Sequence, residues 1–246
     1  MFAWQDVAGP IHRVVTDRHG GTSASSFSSL NLGDHVGDDP TSVRANRELV
    51  AERLGVAAER IAFMRQVHGS RLVHLSAADL RDEDPDRSYP QADALVTREP
   101  EVALVVMVAD CIPVLLHAPG TDVIAVAHVG RPGLAACLLD TVGAAMRDLG
   151  AGPIEAVLGP SICGPCYEVP DGMRRDVAAV APEAFTTTSH GTPGLDLPAG
   201  ALGQLTRLGV RAERLDACTR ERADLFSYRR DGVTGRFGGA IVRHTT

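Results

Sequence analysis

Three short apolar runs at the centre of the chain constrain its fold more than any other feature of the sequence. The runs at 102–108, 114–117 and 123–127 are rich in β-branched residues, and turn-forming residues at 110–113 and 118–122 separate them. Runs of this length between turn residues are typical of buried β-strands. The sequence therefore predicts a sheet at the centre of the protein.

Helical patterns lie on either side of this strand-rich centre. Apolar spacing predicts helices at 41–54 and 133–149, with Gly55 and Gly150 as their ends. We also expect strands at 60–67, 71–75, 154–158, 211–217 and 236–243, helices near 171–181 and 198–208, and a surface loop at 80–91. Strands and helices mix without the strict alternation of a Rossmann or barrel fold. We therefore predict one α/β domain over residues 1–246, with mixed β-sheets covered by helices.

The charged residues exclude several classes of function. The chain of 246 residues has a formal net charge of −7, and its 24 basic residues are all arginine. Without lysine, neither Schiff-base chemistry nor a P-loop lysine is possible, and anions must bind to arginine side chains or backbone amides. The acidic balance argues against nonspecific nucleic-acid binding, so we expect no nucleic-acid partner.

The hydropathy of the chain favours neither membrane insertion nor export. No apolar run approaches the roughly 18 residues of a membrane span. The segment 1–6 has neither the basic region nor the long apolar core of a signal peptide. We expect a cytoplasmic protein without membrane contact.

Five cysteines, an odd number, make a disulfide framework an unfavourable interpretation. Cys137 lies in an apolar helical pattern and is most simply a small core residue. Cys163 and Cys166 form a C-x-x-C motif, which can mark zinc ligands or a redox pair. There is no second C-x-x-C to complete a zinc ribbon, and the motif follows a turn rich in Gly and Pro. We favour a structural loop that lines a pocket.

His68, Cys111 and His128 are the residues with the clearest chemical potential. Each is placed where a predicted strand runs into a polar turn, and side chains at such junctions can reach a shared cleft. Two imidazoles and one thiolate suit Zn²⁺, whose catalytic sites commonly use three protein ligands and leave the fourth position open. Their spacing is much wider than that of zinc fingers. The residue types alone therefore leave structural histidines and an inert buried cysteine as alternatives.

Two arginine-containing segments could hold phosphate. The segment 226–232 combines aromatic residues with Arg229 and Arg230, and 16–23 places Arg18 beside a pair of glycines. Each segment is equally compatible with a turn that carries solvated charges.

Nine short motifs, in order along most of the chain, resemble one family. They are RHGG at 18–21, SLNLG at 29–33, QVHG at 66–69, ADALVT at 92–97, ADCIP at 109–113, AHVG at 127–130, GPSI at 159–162, CYEV at 166–169 and FSYRR at 226–230. The family is that of the YfiH or laccase-domain proteins, also described as multicopper polyphenol oxidase-like or as peptidoglycan editing factors. The ordered match is specific, although each motif is short.

The resemblance implies an α/β/β/α fold and a catalytic metal triad formed by His68, Cys111 and His128. It implies a cytoplasmic, monomeric purine nucleoside phosphorylase that uses Zn²⁺ and takes adenosine, inosine or methylthioadenosine together with phosphate, with adenosine deaminase activity in some members. It implies that copper, the metal of the family's older label, is adventitious. The substrate-binding residues that we expect from the matching motifs are Arg18, Asn31, Tyr228 and Arg229.

The sequence departs from the family pattern at two places. The usual Ala-His-Ala-Gly-Trp-Arg-Gly is here AHVGRPG at 127–133, so the Trp is lost and Arg131 is displaced by one position. The usual Gly-Pro-Cys-Cys-Tyr is here CGPCY at 163–167. The second change indicates that the cysteine pair is not an obligatory metal site of the family.

Three other functions remain open at this point. Cys111 activated by His68 or His128 would make a cysteine hydrolase or amidase that edits peptidoglycan precursors. Copper bound by the same triad would make a polyphenol oxidase. A protein that binds nucleosides without turnover is the non-enzymatic alternative.

Overall fold

Two β-sheets stacked face to face form the centre of the molecule, and helices cover both outer faces. The computed structural model describes residues 1–76, 78–79 and 89–245. The strands within these ranges are β1 (Phe2–Ala8), β2 (Ile11–Thr16), β3 (Ile61–Ala62), β4 (Leu72–Leu75), β5 (Ala94–Thr97), β6 (Ala103–Val108), β7 (Ile112–His117), β8 (Ile124–Val129), β9 (Glu155–Leu158), β10 (Phe185–Thr187), β11 (Pro193–Leu195), β12 (Arg211–Arg214) and β13 (Phe237–Arg243). The α-helices are α1 (Pro40–Leu54), α2 (Arg131–Ala135), α3 (Leu138–Asp148), α4 (Asp171–Ala178), α5 (Leu197–Arg207) and α6 (Tyr228–Asp231).

Both large sheets are mixed. The first has the strand order β1-β2-β13-β6-β3, and the second has the order β12-β9-β7-β8-β5-β4. Parallel pairs lie at sheet edges, between β3 and β6, β4 and β5, and β12 and β9. The other pairs in these two sheets are antiparallel, and β10 and β11 form a separate two-stranded sheet.

Alternation of side chains along the strands produces three apolar layers. In β5, Ala94 and Val96 pack in the layer under α3 and α5, whereas Leu95 packs in the layer between the two sheets. A third layer joins α1 to the outer face of the five-stranded sheet. Because both faces of the central strands are covered, their sequences are continuous apolar runs. The expected α/β/β/α fold with mixed sheets is confirmed.

The first helix shows why its boundaries can be predicted locally. The carboxylate of Asp39 accepts hydrogen bonds from the backbone N–H groups of Thr41 and Ser42, and Pro40 occupies the first helical position. Gly55 ends the helix in the left-handed conformation, at φ 73°. Helices were also correctly predicted near α4 and α5. None of the helices in the described ranges is long and apolar enough to cross a membrane.

The strand predicted at 60–67 is wrong beyond Ala62. The carboxamide of Gln66 donates to the carbonyl of Met107 at 2.7 Å and accepts from its N–H at 2.8 Å. The backbone hydrogen-bonding groups of Met107 in β6 are therefore paired with a side chain and not with a neighbouring strand. His68 then adopts a left-handed φ of 59°. The chain leaves the sheet here and forms the loop that carries this histidine.

The single helix predicted at 133–149 is two helices, α2 and α3. Cys137 lies between them at φ 53°, which interrupts the helix, so it is a half-buried junction residue rather than part of a helical core stripe. The patterns did not predict β1, β2, β5, β10 or β11. Most of the loop expected at 80–91 lies outside the described residues.

Candidate metal centre

His68, Cys111 and His128 meet at one end of the six-stranded sheet. Cys111 directly precedes β7 and His128 is near the end of the antiparallel neighbour β8, so the two lie at the same end. The loop after β3 brings His68 to this end, with 3.9 Å between its Nδ1 and the Sγ of Cys111. One ligand atom from each of the three residues lies within 4.8 Å of the other two. The predicted triad is therefore assembled by the fold.

Asp93 holds two of these residues in place. Its fully buried carboxylate lies 2.9 Å from the Nδ1 of His128 and accepts hydrogen bonds from the backbone N–H groups of Val67, His68 and Gly69, the shortest at 2.6 Å. With Nδ1 paired to this carboxylate, the Nε2 lone pair of His128 is the one available to a metal ion. A carboxylate behind a ligating imidazole fixes its tautomer and orientation.

The protein environment favours a thiolate at Cys111 and a charged imidazole at His128. Burial alone opposes ionisation of the thiol, but the His128 charge and hydrogen bonds from both histidines outweigh it and lower the pKa of Cys111 to about 6. Burial also opposes the charged form of His128. The nearby Cys111 and the bond to Asp93 nevertheless raise the pKa of His128 to about 9. The site thus carries the ionised sulfur that a metal ligand requires, and metal binding would release the Nε2 proton of His128.

Gly130 makes the close approach of the triad possible. A Cβ atom at this position would lie 2.9 Å from the Sγ of Cys111 and 3.0 Å from the Nδ1 of His68. Separations this short are repulsive for any side-chain carbon. The glycine in the AHVG motif therefore keeps the space between these two ligands clear.

Asp110 positions Cys111 through a strained backbone. Its φ of 98° is rare for a residue with a side chain. Its carboxylate accepts hydrogen bonds from the hydroxyls of Thr219 and Ser227, both at 2.6 Å, and from the N–H of Arg229 at 2.6 Å. These contacts tie the C-terminal segment to the loop that carries the thiol.

The structure links only one of the four predicted substrate-binding residues directly to this framework. Arg229 is bonded to Asp110 through its backbone, and its guanidinium lies 4.9 Å from the centre of the Tyr167 ring. Tyr228, the preceding residue, is 62 % exposed.

Arg18 and Asn31 are held by the protein itself. Arg18 donates to the carbonyl of Ser28 at 2.8 Å and packs over the Phe226 ring. The buried side chain of Asn31 accepts from the N–H of Arg236 at 2.8 Å and donates to Asp38 at 2.8 Å. Their roles in binding substrate stay predictions.

Sequence analysis missed three residues that the fold places around the triad. Asp93 had a usable signal, because it is a single acid between two alanines before an apolar run. Arg236 is half-buried, which lowers its pKa, while the charges of Cys111 and Asp110 act in the opposite direction. Burial and Cys111 raise the pKa of Tyr167. No local pattern marks Arg236 or Tyr167, since their proximity to the thiol arises from distant segments.

Comparison with known proteins identifies the family. The family model described as "Multi-copper polyphenol oxidoreductase laccase" matches residues 12–244. A protein from Streptomyces coelicolor named purine nucleoside phosphorylase is 50% identical over 245 residues, which cover 98% of this chain and 99% of the relative. A protein of the same name from Corynebacterium glutamicum is 43% identical over 237 residues, 94% of each chain.

Solved structures agree with this assignment. A Neisseria meningitidis protein of the DUF152 family superimposes with a TM-score of 0.87 at 36% identity, covering 99% of both chains. YlmD from Geobacillus stearothermophilus gives a TM-score of 0.87 at 34% identity, covering 97% of this chain and 94% of its own. The chain therefore belongs to the laccase-like YfiH/DUF152 family, as its ordered motifs predicted.

Proposed function

We propose that this chain is a zinc-dependent purine nucleoside phosphorylase that acts on adenosine, inosine and methylthioadenosine, with adenosine deaminase activity at the same site. The observation that carries the proposal is the convergence of His68, Cys111 and His128 behind the buried carboxylate of Asp93. The names of relatives that are 43–50% identical supply the reaction class.

The donor set fits zinc. Two imidazole nitrogens and one ionised sulfur are borderline-soft ligands, and three protein ligands leave a position for substrate or water. A tetrahedral zinc sets S···N separations of about 3.6 Å, close to the 3.9 Å between Cys111 and His68. Zn²⁺ bound there would supply Lewis acidity at the reacting end of the substrate.

The arginines around the triad would bind phosphate. Phosphorolysis requires an anion beside the anomeric carbon, and arginine is the only side chain with a permanent positive charge that the sequence contains. Arg229 is fixed by its backbone bond to Asp110, and Arg236 is close enough to Cys111 and Asp110 for their charges to act on its pKa. We assign anion binding to these two, beside the predicted Arg18.

The aromatic residues near the triad would bind the purine. Tyr167 is half-buried, and its pKa is raised by burial and by Cys111, which places the ring near the sulfur. The Arg229 guanidinium lies over the same ring, so base and phosphate would be held by adjoining groups. Tyr228 is exposed beside Arg229 and remains the predicted second aromatic contact.

The products formed from adenosine test the proposal. Adenine formed only when phosphate is present reports phosphorolysis, and inosine reports deamination. Cys111→Ala is expected to abolish both reactions and metal retention at the triad, whereas Cys137→Ala, a change at the junction of α2 and α3, serves as the matched control. Undiminished inosine phosphorolysis by Cys111→Ala would contradict the proposal. Binding of inosine without release of hypoxanthine would favour the nucleoside-binding alternative.

One observation supports a second candidate, a cysteine hydrolase or amidase. A lowered thiol pKa beside a charged imidazole is the state of an activated cysteine nucleophile. This candidate predicts that alkylation of Cys111 abolishes activity on peptidoglycan precursors and that a chelator has no effect. The zinc enzyme is expected to be inhibited by both treatments.

Copper-dependent phenol oxidation is the third candidate, and the description of the matching family as multi-copper polyphenol oxidoreductases supports it. Elemental analysis of protein purified without added copper, together with a phenol oxidation assay, separates it from the zinc enzyme. We expect zinc and no oxidation.

A further inference from the structure

A second cluster of metal-ligating side chains lies outside the triad. Cys163, Cys166, Cys218 and Glu221 each offer one ligand atom, and these atoms all lie within 4.8 Å of one another. Cys218 is buried, Cys163 and Cys166 are half-buried and Glu221 is exposed. The proposed reaction uses none of the four.

The four residues form two turns of the same kind. In the first turn the N–H of Cys166 donates to the carbonyl of Cys163 at 3.0 Å, and in the second the N–H of Glu221 donates to the carbonyl of Cys218 at 3.2 Å. Each turn presents its first and fourth side chains, as the paired turns of zinc ribbons do. The missing second C-x-x-C is thus replaced by C-x-x-E at 218–221.

Backbone pairing fixes the two turns against each other. Ser161 and Cys218 form a parallel bridge, in which Ser161 donates to Ala217 at 3.3 Å and Thr219 donates to Ser161 at 3.1 Å. The N–H of Cys163 also lies 3.4 Å from the Sγ of Cys218, as a donor to the sulfur. This contact adds to the bridge in holding the two turns together.

We propose that Cys163, Cys166, Cys218 and Glu221 bind a second, structural zinc ion. Zn–S bonds of about 2.3 Å and a Zn–O bond of about 2.0 Å set tetrahedral separations of about 3.8 Å for S···S and about 3.5 Å for S···O. The Sγ of Cys166 and the Oε1 of Glu221 are already 3.4 Å apart. No ligand pair is more than 4.8 Å apart, so shifts of about 1 Å or less complete the site. With four protein ligands it is a closed site.

The local structure favours a metal over a redox pair. Reactive C-x-x-C cysteines are activated at helix N-termini, whereas Cys163 precedes and Cys166 ends a single 3-10 turn, Gly164–Cys166. A redox pair also needs no carboxylate, yet Cys166 contacts Glu221. A disulfide between Cys163 and Cys166 would leave the Glu221 carboxylate and the Cys218 thiol without the metal ion that both would otherwise bind.

Zinc at the second site would stabilise the segment that holds the Cys111 loop of the triad in place. Thr219, inside the second turn, donates its hydroxyl to Asp110, the neighbour of Cys111. Arg230 donates to the carbonyl of Thr219 at 2.8 Å, and its pKa is raised chiefly by its bond to Asp231. Metal bound by the two turns therefore fixes the segment that anchors the thiol-bearing loop. The binding itself does not depend on the proposed enzymatic reaction.

Metal counting on the full-length protein tests the proposal directly. Wild-type protein, stripped with a chelator under reducing conditions and reloaded with Zn²⁺, is expected to hold two zinc ions per chain by mass spectrometry of the elements. Cys163→Ser with Cys166→Ser is expected to retain one, and Cys111→Ser is also expected to retain one. Cys137→Ser, at the remaining cysteine, is expected to retain two.

Cobalt loading distinguishes the two sites without an activity assay. Sulfur-to-cobalt absorption is expected to fall by about three quarters in the Cys163→Ser, Cys166→Ser protein, because three of four ligating thiolates no longer bind. Glu221→Gln keeps the thiols, lies at an exposed position, and is expected to weaken zinc binding by about 10-fold or more at this site only.

One zinc ion per reduced wild-type chain, retained by the Cys163→Ser, Cys166→Ser protein and lost from Cys111→Ser, would overturn the proposal. Loss of two thiols from the native protein, with both recovered on reduction and no gain in bound zinc, would assign the C-x-x-C motif to a disulfide instead. Two zinc ions without nucleoside turnover would leave the second site standing and contradict only the proposed function.

Discussion

Replacing Asp93 by Asn should weaken metal binding at the triad more than any other conservative change away from the ligands. The Asp93 carboxylate is buried and faces four N–H groups, those of Val67, His68, Gly69 and the ring of His128. An asparagine has one acceptor oxygen, and its amide N–H₂ would face donors rather than acceptors. The Oδ1 atom accepts three of these bonds and Oδ2 accepts the bond from Gly69, so an asparagine loses at least the Gly69 bond and makes the other three with a neutral acceptor.

The expected magnitudes follow from these bonds. Hydrogen bonds to charged groups are worth about 1.5–3 kcal/mol each and neutral ones about 0.5–1.5 kcal/mol, so one lost bond and three weakened bonds cost roughly 3–6 kcal/mol. Because a neutral amide is cheaper to bury than a carboxylate, the lower end applies, and the free energy of unfolding should fall by about 3 kcal/mol. Loss of the partner of a ligating histidine should lower zinc affinity by about 10- to 100-fold.

Thr97→Val provides the matched control, at the end of the strand β5 that Asp93 immediately precedes. The Thr97 hydroxyl is buried, donates to the carbonyl of Leu75 at 2.8 Å and accepts from the N–H of Glu99 at 3.1 Å, so its loss should cost about 1–3 kcal/mol. It touches none of the triad. Zinc affinity should therefore stay at the wild-type value.

Urea unfolding of the metal-free proteins and zinc competition with a chromogenic chelator measure the two effects. Both are best done in the Cys163→Ser, Cys166→Ser background, where only the triad is expected to bind. Wild-type zinc affinity in Asp93→Asn would refute the reasoning, since the carboxylate would then act on the fold alone. Equal loss of affinity in Thr97→Val would show that the assay reports instability.

Three further predictions test separate features of the chain. Gly130→Ala should reduce zinc affinity by about 10-fold or more, because its Cβ would lie 2.9 Å from the Cys111 sulfur; chelator competition measures this. Asp39→Ala should lower the free energy of unfolding measured in urea titrations, since it removes the N-cap of α1. Glu101 accepts from the Thr245 N–H and from His244, which lowers its pKa to about 2 from an ordinary 4.5. Its stabilisation is present above pH 4.5 and is lost as the pH falls towards 2, so the difference in unfolding free energy between wild type and Glu101→Gln should shrink over that range.

Local pattern was sufficient for elements whose causes are local. The helix α1 could be predicted because its cap, its proline and its terminal glycine are contiguous with its apolar stripe. The strands β6, β7 and β8 could be predicted because strands buried on both faces are continuous apolar runs. The break at Cys137 could not, since no residue there carries a signal for a positive φ.

Interactions between distant segments account for the other errors. The strand predicted at 60–67 ends early because the Gln66 carboxamide pairs with Met107, 41 residues away. The hairpin of β1 and β2 was missed because its stability comes from pairing with β13, at the other end of the chain. A pattern read in a short window contains neither partner.

The sequence by itself determined the fold class and which two histidines and one cysteine could bind a metal, because strand patterning and ligand chemistry are properties of the residues. Only the tertiary structure decided that one ligand atom from each of these three lies within 4.8 Å of the other two and that Asp93 pairs with His128. It also paired Cys163 and Cys166 with Cys218 and Glu221, which follow 55 residues later. Sites of this kind depend on residues from distant segments converging in space. The packing of the two sheets and their loops sets that convergence, and a local sequence pattern contains no record of it.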